Sequence, residues 1–131
     1  MGDYTIKRID EMEAAFLGAF KRARAELGVE AFGIQVIDLP PNLAEYPEHD
    51  HADSGQEEVY LPLSGSGWIE VDGERVDLDP DIAIRVGPAA RRKLYTGPDG
   101  MRVLALGGVP GQAYEPPDLT KLGEPDPLAQ T

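Results

Sequence analysis

The two histidines of the chain, His49 and His51, stand two residues apart, and the carboxylate of Glu58 follows a short way downstream. In an extended segment alternate side chains share a face, so both imidazoles point the same way and can converge on one atom. Gln56, Glu58 and Tyr60 share one face of the next expected strand, while Glu57, Val59 and Leu61 share the other, so Glu58 can turn inward beside the histidines. Two imidazoles and one carboxylate suit divalent iron, manganese, nickel or zinc. Glu48, Asp50 and Asp53 read as a solvated acidic loop rather than as further ligands. Arg91, Arg92 and Lys93 form a small basic cluster, fit either to meet an anionic group or to pair with nearby acids. Because both histidines belong to one motif, no Ser-His-Asp triad can be assembled, and Gly65-Ser66-Gly67 lacks the Lys and helix of a phosphate loop.

The elements that must position these residues are mostly short strands. After an extended arm at Tyr4 to Ile9, the spacing predicts a helix over Asp10 to Leu27: Asp10 and Glu13 fit a capping box, and Met12, Phe16, Phe20, Ala23 and Leu27 recur at intervals of three and four. Gly28 supplies a left-handed stop. Ala31 to Leu39 reads as a buried or half-buried strand, ended by Pro40-Pro41-Asn42. Next comes Glu58 to Leu63, where Pro62 marks an edge or a bulge because it cannot donate to a ladder. Trp68 to Val71 and Glu74 to Leu78 flank Asp72-Gly73, a hairpin signal. Ile82 to Val86, Arg91 to Thr96 and Met101 to Leu106 complete seven or eight strands, a count that favours an all-β sandwich, barrel or jelly roll.

At the histidine motif the chain resembles the cupin family. The family's first motif is a His-x-His pair, a Glu and then a Gly, roles filled here by His49, His51, Glu58 and Gly65, with Gly67 completing a Gly-x-Gly turn. Over nearly its whole length the chain looks like small stand-alone bacterial cupin-domain proteins of the type-2 kind. The resemblance implies a double-stranded β-helix, a jelly-roll barrel of two facing antiparallel sheets with the N-terminal helix packed outside. It also implies a metal held by His49, His51 and Glu58. Two departures stand out. Ala52 to Glu57 put six residues between the second His and the Glu where the family has three or four, which makes Gln56 the reserve ligand. The family's fourth ligand, a His, falls on Arg92, which stays protonated and is no ordinary ligand. Arg92 is expected either to pair with Glu58 in bidentate fashion, which weakens metal binding, or to anchor an anionic ligand, with Tyr60 lining the same pocket.

Composition bounds the rest. The 131 residues suit one domain, divided into an arm and helix over 1–30, a barrel over 31–108 and a Pro/Gly-rich tail over 109–131. That tail is expected to run over the surface, pinned by Tyr114, Pro116, Pro117, Leu119 and Leu122, with its last few residues disordered. A formal charge of -12 repels phosphate backbones and anionic lipid, so neither nucleic acid nor a membrane is an expected partner. With no cysteine there are no disulfides and no thiolate ligands. The expected location is the cytoplasm, and the resemblance implies a homodimer formed through barrel strands. Three function classes stay open: a metal-dependent dioxygenase or isomerase, a small-molecule binding module, and an interaction protein that has kept only the barrel.

Overall fold

The structure is a computed structural model and describes residues 2–128. Among the described residues there are seven strands and one α-helix: β1 (Ala14–Ala15), β2 (Phe20–Lys21), α1 (Ala23–Leu27), β3 (Gly33–Leu39), β4 (Glu57–Val71), β5 (Glu74–Leu78), β6 (Ile84–Val86) and β7 (Arg92–Gly108). Every pairing is antiparallel. The order is β1-β2-β3-β7-β4-β5, with β6 on β4. The two facing sheets are thus joined into one, because β4 and β7 are 15 and 17 residues long and pair along nearly their whole length.

Bending such long strands needs local irregularity, and β4 supplies it. Its register against β7 shifts between Pro62 and Ser64 and again between Gly65 and Gly67. Pro62 lies in the gap between the part of β4 that pairs with β6 and the part that pairs with β5, so on that side no amide is required of it. At Gly67 the two strands approach so closely that a Cβ would stand 2.1 Å from the Tyr95 carbonyl oxygen. Asp72 and Gly73 both take positive φ, 50° and 84°, as a two-residue hairpin turn demands.

The core lies inside the barrel, with Ile37, Tyr60, Ile69, Leu94, Met101 and Val103 among its buried members. β3 is buried on both faces. Ile37 and Leu39 point into the barrel, while Val36 packs outside against Met12 and Ala23, with Ile9, Leu27 and Leu104 around them. This is why its sequence is nearly continuously apolar.

The helix expected over Asp10 to Leu27 is corrected to α1 alone. Ile9–Glu11 form a short 3-10 turn, and Ala14–Ala15 and Phe20–Lys21 are strands of a hairpin whose second arm joins β3. Phe16, Leu17 and Gly18 have φ of 54°, 57° and 95°, which no right-handed helix contains. The capping box does not form either: Asp10 pairs with Arg102, and Glu13 accepts hydrogen bonds from Arg22 and from the Gly123 amide. Pairing with the sheet edge satisfies the backbone that a helix would otherwise have satisfied internally. The stop at Gly28 does form, with φ 78° and hydrogen bonds from the Gly28 and Val29 amides to the Arg24 carbonyl.

The tail does more than cross the surface. Asp126 accepts hydrogen bonds from the amides of Phe16 (2.9 Å) and Leu17 (2.8 Å), tying the tail to the hairpin tip. The disorder expected at the end concerns residues 129–131, which lie outside the described residues. Among the described residues no helix is long and apolar enough to cross a membrane.

Candidate metal centre and ligand cavity

His49 is placed by a backbone bridge to β7: its amide donates to the Arg92 carbonyl (3.0 Å), and the Arg92 amide donates back (2.8 Å). The His51 amide donates to the Pro88 carbonyl at 2.8 Å. The long spacing before Glu58 is absorbed in one tight turn. Ser54 and Gly55 amides both return to the His51 carbonyl, and Gly55 takes a φ of 74° that favours glycine. The chain then enters β4, where Glu58 sits between Val86 of β6 and Gly107 of β7.

The three side chains converge. One ligand atom from each of His49, His51 and Glu58 lies within 4.8 Å of the others. Glu58 Oε1 accepts hydrogen bonds from His51 Nε2 (2.9 Å), from the Tyr60 hydroxyl (2.6 Å) and from an Arg92 guanidinium nitrogen (3.1 Å). His49 Nε2 stands 3.8 Å from the same oxygen, too far for a hydrogen bond but close enough to act through its field. The imidazoles pack edge to face with centroids 5.0 Å apart. His49 Nδ1 is 3.3 Å from the Pro47 carbonyl, within reach to donate to it.

Burial pushes the Glu58 carboxyl up, but the two imidazoles and the Tyr60 hydroxyl outweigh it and hold Glu58 well below the usual carboxylate range. Tyr60 moves the other way, raised well above the ordinary phenol value by burial, by the Glu58 charge and by its hydrogen bond to that carboxylate, with Arg92 opposing. Tyr46 is pushed up to about 12 by burial and by Glu58.

Arg92 turns inward and is 1% exposed. Its pairing with Glu58 is single rather than bidentate, because the other terminal nitrogen donates to the Gly87 carbonyl at 2.7 Å. It stands behind Glu58 and is not among the residues lining the cavity. Arg91 pairs with Glu48 and Asp50, and Lys93 lies over the Tyr95 ring. Gln56 lines the cavity with its amide packed toward Gly107, apart from the three converging groups.

In front of the cluster lies a cavity of about 1020 Å³. Its walls are mainly apolar, with His49, His51, Gln56, Glu58 and Tyr60 gathered among them. Several lining residues were not singled out as site residues from sequence. Tyr46 arrives on the loop after β3, which Thr96 fixes by accepting from the Leu43 amide and donating to the Pro40 carbonyl. Phe16 and Leu17 come from the β1–β2 turn, and Leu119 and Leu128 from the tail. For Tyr114, Pro117 and Leu119 the apolar spacing in an otherwise polar tail was the available signal; for Phe16 and Leu17 there was none, since Phe16 read as part of a helix stripe and Leu17 as a residue of the same helix.

The donor set fits a divalent ion: neighbouring ligands on such an ion stand roughly 3 Å apart, close to the His51 and Glu58 separation, and two nitrogens with one oxygen match the preferences of first-row metals. Among the described residues three protein ligands converge, and Arg92 pairs with Glu58 instead of adding a fourth.

No family model matches the chain, and no curated protein matches it. Solved structures do. A cupin protein from Bacteroides fragilis aligns over 89% of this chain and 93% of its own, with a TM-score of 0.67 and 22% identity. The Cupin_2 domain of an XRE family transcriptional regulator from Enterobacter cloacae covers 63% of this chain and 86% of that one, at TM-score 0.53 and 23% identity. A predicted oxalate decarboxylase from Thermotoga maritima covers 59% and 65%, at TM-score 0.53 and 19% identity. At these identities the likeness is one of architecture, and together with the strand order and the barrel core it shows that this chain has the cupin fold.

Proposed function

We propose that this chain binds a small, largely apolar molecule in the barrel cavity, with a weak divalent metal centre at His49, His51 and Glu58 meeting the molecule's polar end. The observation that carries the reading is the convergence of these three side chains and Tyr60 among the walls of one large, mainly apolar cavity. His49 Nε2, His51 Nε2 and a Glu58 oxygen would hold the ion. When bound, the metal supplies a Lewis acid with positions open to a ligand oxygen.

The chain's own residues set how strongly that ion is held. Tyr60 and Arg92 both donate to Glu58 Oε1, so they keep the carboxylate ionised and fix its orientation. The same contacts engage the lone pairs of Oε1 and put a positive charge beside the ligand set. A binding module is favoured over a metal enzyme on that ground, because the arginine in place of a fourth ligand weakens retention of the ion.

The test is a titration of zinc, iron(II), manganese and nickel into the wild type, Arg92→His and His51→Ala, with folding checked by circular dichroism. Wild type is expected to bind weakly, Arg92→His at least about tenfold more tightly and His51→Ala scarcely at all. Tight wild-type binding left unchanged by Arg92→His, or binding indifferent to His51→Ala, would remove the metal centre from this place.

A further inference from the structure

A second polar group lines the same cavity away from the histidine cluster. Gln35 of β3 stands opposite Ala105 of β7, and Ala105 stands opposite Tyr60 of β4. Directly opposed residues on antiparallel strands project to the same side, so Gln35, Ala105 and Tyr60 form one row, and all three line the cavity. Two strand spacings separate Gln35 from Tyr60, roughly 10 Å along the sheet. Between them Ala105 is small, and in the next row Gly33 and Gly107 face Glu58 in the same way.

Gln35 is 7% exposed, and its Oε1 is buried with no hydrogen-bond partner among the described residues. Buried carboxamides are nearly always paired, because leaving water without a new partner opposes folding. A Leu or Met at this position would pack the strand without that cost. Such a group is retained where a ligand completes it. On its inner face Ile37 is apolar, and the polar groups of the adjoining row, the Tyr114 hydroxyl beside Gly33 and the Gln56 amide beside Gly107, make no hydrogen bond to Gln35 Oε1.

We propose that Gln35 is a specificity-determining residue of the cavity, hydrogen-bonding the far end of the bound molecule while the His49, His51 and Glu58 cluster holds the near end. The ligand class is then a flat or extended apolar body with a polar group at each end, about two strand spacings apart. A hydroxyl suits the far end best, since it both donates and accepts and so matches either end of a carboxamide. The proposal rests on the reading of the cavity as a small-molecule site.

The experiment compares two probes of one shape, 2-naphthol and 2-methylnaphthalene, on wild type and Gln35→Met, by calorimetry or probe fluorescence, together with thermal unfolding of both proteins without probe. Wild type is expected to prefer 2-naphthol by at least about tenfold, and Gln35→Met to bring the two within about twofold of each other. Without probe, Gln35→Met is expected to melt at the wild-type temperature or above it, since it removes an unpaired polar group. Equal binding of the two probes by wild type, a preference that survives Gln35→Met, or a melting temperature lowered by several degrees would each overturn the role of Gln35 and leave the cavity as a binding site. Failure of both probes to bind wild type would overturn the small-molecule reading itself.

Discussion

Glu58 is the residue on which the site depends. It takes hydrogen bonds from His51, Tyr60 and Arg92 on a single oxygen, and it is the counter-charge of a guanidinium with almost no access to water. Removing it strands Arg92 with only the Gly87 carbonyl, so Glu58→Leu is expected to cost about 3–5 kcal/mol in urea unfolding. Glu58→Gln addresses the charge itself. The folded carboxyl titrates below its unfolded value near 4.5, so its contribution is fully present above that pH and is lost as the pH falls through the folded value. Wild type should therefore lose melting temperature below about pH 4.5 more steeply than Glu58→Gln; parallel curves would show that Glu58 is not depressed. At this scale the sequence was legible where alternation alone decides orientation, as for His49, His51, Glu58 and Tyr60. Gln35 was not legible, because a lone polar residue in a strand reads as outward-facing until the register against Ala105 and Tyr60 is known.

Among the elements, β4 and its glycines show how local rules carried the barrel. Asp72-Gly73 specified its hairpin because few residues tolerate positive φ at both central positions, and Pro62 marked the bulge because it lacks an amide. The helix failed for an equally local reason. Apolar residues three and four apart also suit a hairpin whose tip closes a cavity, and what decided between the two was a sheet edge that only tertiary structure provides. The close approach at Gly67 gives a direct check. Gly67→Ala places a methyl 2.1 Å from the Tyr95 carbonyl oxygen, backbone that cannot swing away, and is expected to destabilise by about 2–4 kcal/mol or to prevent folding. A loss under about 0.5 kcal/mol would mean that β4 and β7 are spaced differently there.

On the scale of the whole molecule, the barrel strands end at Gly108, yet the cavity wall includes Tyr114, Leu119 and Leu128 from beyond them and Phe16 and Leu17 from before β2. The two segments meet at Asp126, whose carboxylate, held below its usual range chiefly by the Leu17 amide hydrogen bond, bridges two residues of positive φ. Asp126→Ala is expected to raise hydrogen exchange at the Phe16 and Leu17 amides by about tenfold while leaving β7 amides protected. Unchanged exchange at those two amides would show that the turn holds without the clip. Little of this was legible, since the tail lacks periodicity and its contacts span more than a hundred residues of sequence.

The clip at Asp126 also separates folding from binding in the order of synthesis. Every strand of the barrel has been made once Gly108 leaves the ribosome, so the core can close on its own schedule. The wall that completes the cavity arrives only with Tyr114 to Leu128, and a nascent or nicked chain would hold a finished barrel whose pocket is still open on one side.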